Sequence, residues 1–187
     1  MKEEESLIQK AGKGDGNAFG TLYDAYMPRI YRFVFLKTGR KQDAEDITHQ
    51  VFLSAWQNIG KYESKGFPFS SWLYRIASNA VIDHYRTKRE HRNIETVPEE
   101  IIAETPDLEG RIDTAFELEL VKTALNQLEE DQQNILLMKF VDELSNKEIA
   151  EALGKNEGTV RVIQHRALKQ LKKHVDAKRP QDTTKEI

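Results

Sequence analysis

Leu144-Ser145-Asn146-Lys147-Glu148-Ile149-Ala150-Glu151-Ala152-Leu153-Gly154-Lys155-Asn156-Glu157-Gly158-Thr159-Val160-Arg161 is the stretch that decides how the C-terminal third folds. Ser145 is a favourable N-cap, and Glu148 three residues later completes the reciprocal capping box that marks a helix start. Ile149, Ala150 and Leu153 share one face, and Ala150 is small enough to let a second helix cross close by. Gly154 stands where the helix must end in a left-handed residue, a conformation glycine tolerates. Lys155-Asn156-Glu157 makes the turn. On the following helix Val160, Ile163, Ala167 and Leu171 point inward, leaving Arg161, Val162, His165, Arg166 and Lys169 outward. This is the arrangement needed for a helix that enters the major groove of DNA. An ordinary helical hairpin with a solvated basic face would share the charge. It would not require the capping box, small crossing residue, glycine turn and buried valine together at fixed offsets. His165 has no second ligand three or four residues away, so a metal site there is not indicated.

Outward from this segment, charge is the first test of the reading. The 187 residues carry a net charge of −3, which alone argues against a nucleic-acid binder. The distribution along the chain reverses that inference. Residues 1–93 are net +4, residues 94–133 net −10 and residues 134–187 net +3. Between Lys155 and Arg179, eight basic side chains face only Glu157 and Asp176. The local field, not the total, decides whether phosphate is attracted. The chain has no cysteine, which excludes a disulfide framework and a thiolate metal site. Met1 to Lys10 is polar and acidic, with no apolar signal region, and no apolar run approaches the roughly 18 residues of a membrane span. A cytoplasmic protein without membrane insertion is expected.

The rest of the chain also carries helical periods. A short helix over about 3–11 ends at a glycine-rich stretch, Gly12 to Gly16. From Asn17 to Lys37, Phe19, Leu22, Tyr23, Tyr26, Ile30, Phe33 and Val34 recur at three and four, with Pro28 set to kink or split the helix. A second long helix, 41–59, has the stripe Ala44, Ile47, Val51, Phe52, Ala55 and Ile59. A third, 69–92, opens on Ser70 or Ser71 as N-cap; Trp72, Leu73, Ile76, Ala77 and Ala80 make its apolar first half, with Trp72, Ile76 and Ala80 on the face expected as core. Residues 94–112 are acidic, contain Pro98 and Pro106 and show no helical period, so they read as a flexible linker. Beyond it, 113–128 and 131–141 are helical on Phe116, Leu120, Ala124, Leu128 and on Ile135, Leu136, Met138, Phe140. The expected architecture is all-α: a domain over 1–93, a linker over 94–112, a four-helix domain with the helix-turn-helix over 113–175, and a tail over 176–187.

Three motifs, in order, carry a resemblance. Asp43-Ala44-Glu45-Asp46-Ile47-Thr48-His49-Gln50-Val51-Phe52-Leu53-Ser54-Ala55-Trp56 resembles the polymerase-binding helix of bacterial sigma factors of the sigma-70 family. Phe69-Ser70-Ser71-Trp72-Leu73-Tyr74-Arg75-Ile76-Ala77-Ser78-Asn79-Ala80-Val81-Ile82-Asp83-His84 resembles their promoter-melting and −10 recognition helix. Glu148-Ile149-Ala150 and Gly158-Thr159-Val160-Arg161 match their −35 motif. Two domains and a short linker look like the extracytoplasmic-function (ECF) group.

The resemblance implies roles that residue chemistry accommodates. Asp43, Glu45, Asp46, Gln50 and Leu53 would dock on a basic coiled coil of the polymerase β′ subunit, with β as a further partner. Carboxylates in a first turn also suit the helix dipole. His49-Gln50 stands where the family often has glutamine and glutamate, a weaker acidic surface. Arg75, Asn79 and Asp83 repeat every four residues, so they line one face. With the loop Tyr62–Pro68 they would read an unstacked −10 base, for which aromatic faces are suited. Phe67 and Phe69 fit that pocket or the core equally. Arg86, Lys88, Arg89 and Arg92 would bind phosphate. Lys139, Lys155, Thr159, Arg161, Val162, His165, Arg166 and Lys169 would meet the −35 duplex. Val162 and Ile163 depart from the common serine and arginine, and Val162 fits a thymine methyl. The family threads the linker through the polymerase RNA channel; the acidity of Glu95 to Asp113 serves solubility equally well. The implied function is a non-catalytic specificity subunit, without metal or cofactor, that directs polymerase to promoters, aids melting and answers to an anti-sigma factor. Two other classes compete. A conventional regulator with an N-terminal sensor leaves the 43–56 helix unexplained. A metal-dependent hydrolase on His49, Asp83, His84 and His91 lacks a coherent ligand set.

Overall fold

The computed structural model describes residues 2–64, 67–92 and 115–178. They form eight α-helices and one 3₁₀ turn, and among them there is no strand: α1 (Lys2–Gly12), α2 (Gly16–Thr38), α3 (Lys41–Asn58), the 3₁₀ turn (Ile59–Lys61), α4 (Phe69–Arg92), α5 (Ala115–Leu125), α6 (Glu130–Phe140), α7 (Asn146–Leu153) and α8 (Glu157–Lys178). The all-α expectation holds. The expected linker over 94–112 and the end of the tail lie outside the described residues.

The first unit is built by local rules that can be followed helix by helix. Asp15 starts α2 by accepting from the backbone N–H groups of Asn17 at 3.0 Å and Ala18 at 3.1 Å. Gly39, at φ 71°, closes it. The helix is not split at Pro28: it runs 23 residues without a break. Proline removes only one donor, and Leu22 and Ile30 on either side are locked into the core. On α3 the whole expected stripe, Ala44, Ile47, Val51, Phe52 and Ala55, is buried, as is Ile59 just beyond it.

Two readings of α4 need correction. The helix begins at Phe69, so Ser70 and Ser71 lie buried inside its first turn instead of capping it. Its buried face runs along Phe69, Leu73, Tyr74, Ala77 and Val81, while Trp72, Ile76 and Ala80 are only half-buried beside it. A period of 3.6 residues fixes the width of a stripe but not its centre, and the densest apolar letters lie to one side of the buried line.

In the second unit Leu120, Ala124, Leu128, Ile135, Leu136 and Met138 are buried as expected. Phe140, assigned to the same core, is 52% exposed. It is the last residue of α6, and its side chain points away from the core that buries Met138 and Leu144. Helix α8 extends to Lys178, three residues past the expected end of the domain at 175. The buried residues of both units belong to one continuous cluster, because α4 packs against α7 and α2 against α6.

Candidate nucleic-acid interface

The helix-turn-helix forms as its sequence dictates. The Ser145 hydroxyl accepts from the Glu148 N–H at 3.2 Å, and the Glu148 carboxylate accepts from the Ser145 N–H at 2.6 Å. Gly154 is left-handed at φ 63°, and its N–H reaches back to the Ala150 and Glu151 carbonyls. Asn156 caps the next helix by accepting from the Thr159 N–H at 2.7 Å. Val160 and Ala167 are fully buried, and Ile163 and Leu171 half-buried. Arg161, Val162, His165, Arg166 and Lys169 are all exposed along one length of α8, with Val162 at 51%. Arg161 is pre-positioned by an ion pair to Glu157 at 2.5 Å. Two other expected contact residues are engaged inside the domain. Lys139 donates to the Leu144 carbonyl at 3.1 Å, and Lys155 pairs with Asp131 at 2.8 Å.

A second site lies at the start of α4. Tyr62, Phe67 and Trp72 wall a cavity of about 220 Å³ with Lys61, Ser71 and Arg75. The Tyr62 hydroxyl donates to the Phe67 carbonyl at 3.3 Å, and its ring lies 5.1 Å from Trp72 and 5.3 Å from Phe69. Burial, with the Glu4 and Glu151 carboxylates adding to it, pushes the Tyr62 phenol up to about 12, so it remains a donor at any physiological pH. Phe69, with 2% of its surface exposed, is core and does not face the cavity. Trp72, read from sequence as core, is a cavity wall. Below it on α4, Asn79 and Asp83 are exposed, and Asp83 pairs with Arg86 at 3.2 Å. The side chains of Arg89 and Arg92 lie outside the described residues.

The third surface is the outer face of α3. Glu45, Asp46, His49, Gln50, Leu53 and Trp56 are exposed there, Leu53 by 50% and Trp56 by 36%. Asp43 is not part of that face. Its carboxylate turns onto α4, where Lys88 donates to it at 3.1 Å and His84 lies 3.4 Å away. Two residues assigned to different partners, Asp43 and Lys88, therefore hold one another. Among the described residues no three His, Asp or Glu side chains gather as metal ligands.

The seam between the two units carries polar groups with no sequence signature. Arg75 donates to the Glu151 carboxylate at 2.9 Å and to the Glu151 backbone carbonyl. Lys147 stands 5.5 Å over the Phe67 ring. Lys37 donates to the Asn134 side chain at 2.5 Å. Burial brings the Lys37 ammonium down to about 8, against the pull of Glu130 and Asp131. Asp142 is buried opposite Tyr74, which burial and that carboxylate push well above its usual range. Burial also lifts Asp142 to about 6, while Tyr74, Arg32 and Arg29 act to lower it.

A helical protein with a capped helix-turn-helix, an aromatic cavity beside a polar helix stripe and a separate acidic helix face is of the DNA-binding transcription class. Residues 22–91 match the family Sigma-70 region 2, and residues 118–171 match Sigma-70, region 4. The chain is 32% identical over 176 residues to the ECF RNA polymerase sigma factor BldN of Streptomyces coelicolor, an alignment spanning 88% of this chain and 63% of that protein. It is 32% identical over 180 residues to the ECF RNA polymerase sigma factor SigW of Bacillus subtilis, spanning 90% and 94%. The sigma factor RpoE from Bartonella quintana, solved in complex with the anti-sigma factor NepR, superposes with a TM-score of 0.71 at 25% identity, over 86% of this chain and 98% of that one. The chain belongs to the sigma-70 family, in its extracytoplasmic-function group. Proteins of this family are transcription initiation factors, and no helix among the described residues is long and apolar enough to cross a membrane.

Proposed function

We propose that this chain recruits core RNA polymerase through α3, reads the −10 element with α4 and its cavity, and reads the −35 element with α8. In this reading 1–93 is the polymerase-binding and −10 unit, 94–112 the linker and 113–175 the −35 unit. The observation that carries it is the outward row on α8, Arg161, Val162, His165, Arg166 and Lys169, held exposed by a doubly capped turn. Guanidinium groups there suit guanine edges, Val162 suits a thymine methyl, and His165 and Lys169 suit phosphate. The aromatic cavity suits a base already taken out of the stack, which links −10 reading to melting. On α3 the contacts to β′ come from Glu45, Asp46, Gln50 and Leu53, with Trp56 beside them; Asp43 serves by fixing α3 against α4. Bond making belongs to the polymerase, so the chain has no catalytic centre, metal or cofactor of its own, and it works in the cytoplasm. The likeness to a sigma factor solved in complex with an anti-sigma factor supports control by an anti-sigma protein. Runoff transcription with purified core polymerase is the test. Promoter-dependent transcripts and co-elution with core are expected, and the absence of both would end the reading.

A further inference from the structure

We propose that α1 sets the geometry of the aromatic cavity from behind, so that Glu4, Tyr26 and the Gly12–Gly60 contact decide how sharply the cavity discriminates a base. They act as positioning residues, because none of them lines the cavity. The inference rests on the −10 role proposed above for that cavity. The first attachment is at the N-terminal end of α1. The Tyr26 hydroxyl donates to the Glu4 carboxylate at 2.5 Å, and the Tyr26 ring meets Phe69 edge-on at 5.6 Å. Phe69 in turn carries two of the cavity walls, with Tyr62 at 5.3 Å and Trp72 at 5.4 Å. Burial, then the bond to Glu4, push the Tyr26 phenol far above its usual range, so the hydroxyl stays a donor. Leu7 and Ile8, half-buried against the core, keep the helix seated between its ends.

The second attachment is at the C-terminal end, where α1 meets the 3₁₀ turn backbone to backbone. A methyl group on Gly60 would stand 3.2 Å from the Gly12 carbonyl oxygen, and one on Gly12 would stand 3.5 Å from the Gly60 Cα and the Ile59 carbonyl oxygen. Neither glycine has a positive φ, so closeness, not backbone conformation, is what a side chain would violate. The same Ile59 carbonyl accepts the Tyr62 N–H at 3.1 Å. The end of α1 therefore presses on the peptide that launches Tyr62. One helix, about 12 Å from Glu4 to Gly12 at 1.5 Å per residue, thus fixes the Tyr62 ring through Phe69 and the Tyr62 backbone through the turn. Such bracing matters for discrimination. Stacking alone tolerates every base, because each has a π face. Preference among bases comes from polar groups held within hydrogen-bond reach of an edge, where a few tenths of an ångström count.

The test uses the full chain assembled with core polymerase. Runoff from a mapped promoter is compared with runoff from versions carrying each other base at the −10 position most sensitive to substitution, and the ratio measures discrimination. Tyr26→Phe and Glu4→Ala each remove one hydrogen bond and should lower the ratio by about fivefold. Gly60→Ala, which forces the turn away from α1, should lower it as well. Glu4→Gln keeps an oxygen acceptor for the phenol and should restore most of the loss. Core affinity and dependence on the −35 sequence should not change, since α1 belongs to neither surface. Equal discrimination in Tyr26→Phe, Glu4→Ala and Gly60→Ala would overturn the proposal. A matching fall in core affinity would overturn it too, because that marks a general loss of fold. Arg75→Ala, which alters a cavity residue directly, separates this failure from that of the underlying reading. If Arg75→Ala changes discrimination and the α1 variants do not, only the role of α1 falls. If none of them changes it, the −10 assignment of the cavity falls, and the role of α1 with it.

Discussion

At the scale of single residues, the environment of a side chain decides which loss its removal causes. Arg161 is exposed and, among the described residues, held by Glu157 alone, so Arg161→Ala should leave folding and core binding intact. It should cost about 1–3 kcal/mol of −35 discrimination. Holoenzyme binding to duplexes differing at single −35 positions measures this, and equal losses on all duplexes would reassign Arg161 to phosphate. Asp43 behaves in the opposite way. Its side chain is 18% exposed and shared by Lys88 and His84. Asp43→Asn should destabilise the first unit by about 1 kcal/mol, a drop of about 4–8 °C in melting temperature. Its affinity for core should fall far less than with Asp46→Asn, a comparison that titration of core with labelled chain would settle. The sequence places both aspartates in the first turns of one helix, and only the burial of one of them tells a brace from a docking group.

At the scale of elements, the turn between α7 and α8 concentrates several small terms. Loss of the Ser145 hydroxyl removes a cap worth about 1 kcal/mol. Gly154→Ala has room for its methyl group, since no atom lies within 4 Å of a Cβ built there, so its cost is that of the left-handed backbone alone, again about 1 kcal/mol. Thermal unfolding should show the two losses, and Gly154→Asn should recover part of the second, because asparagine tolerates that conformation. These elements were legible beforehand because capping, periodicity and left-handed turns are local, and a local rule needs only the residues that obey it. The buried line of α4 was not. Trp72 carries the most apolar surface in its helix, yet it stands at a cavity wall, while Ser70, Ser71 and Ser78 are buried. Which side of an amphipathic helix meets the core depends on what the neighbouring helices offer. The partnership of Arg75 with Glu151, 76 residues away, likewise left no local mark.

At the scale of the whole molecule, the closed packing of the two units, α4 on α7 and α2 on α6, depends on pH. Asp142 faces Tyr74, Arg29 and Arg32, and burial raises it from 3.8 to about 6. A carboxyl raised in the closed form favours closure fully below its ordinary value, and that contribution is lost as pH rises through 6. Lys37 runs the other way, because its closed-form value is lowered to about 8 and its penalty is relieved above that pH. Energy transfer between dyes on cysteines introduced at the exposed Gln57 and Gln170 should therefore rise on acidification from pH 7 to pH 5, and Asp142→Asn should flatten the rise. The two units of the seam are also ends of one chain, joined through residues 93–114. Covalent linkage makes the contact between them intramolecular, at an effective concentration set by the chain and not by the solution. The seam combines the packing of α4 on α7 and of α2 on α6 with one ion pair and a few buried polar groups, and dilution does not loosen it. A long Gly/Ser insertion in that segment, flexible by composition, should lower this effective concentration. The length of the segment between α4 and α5 is thus itself a dial on how often the two units meet.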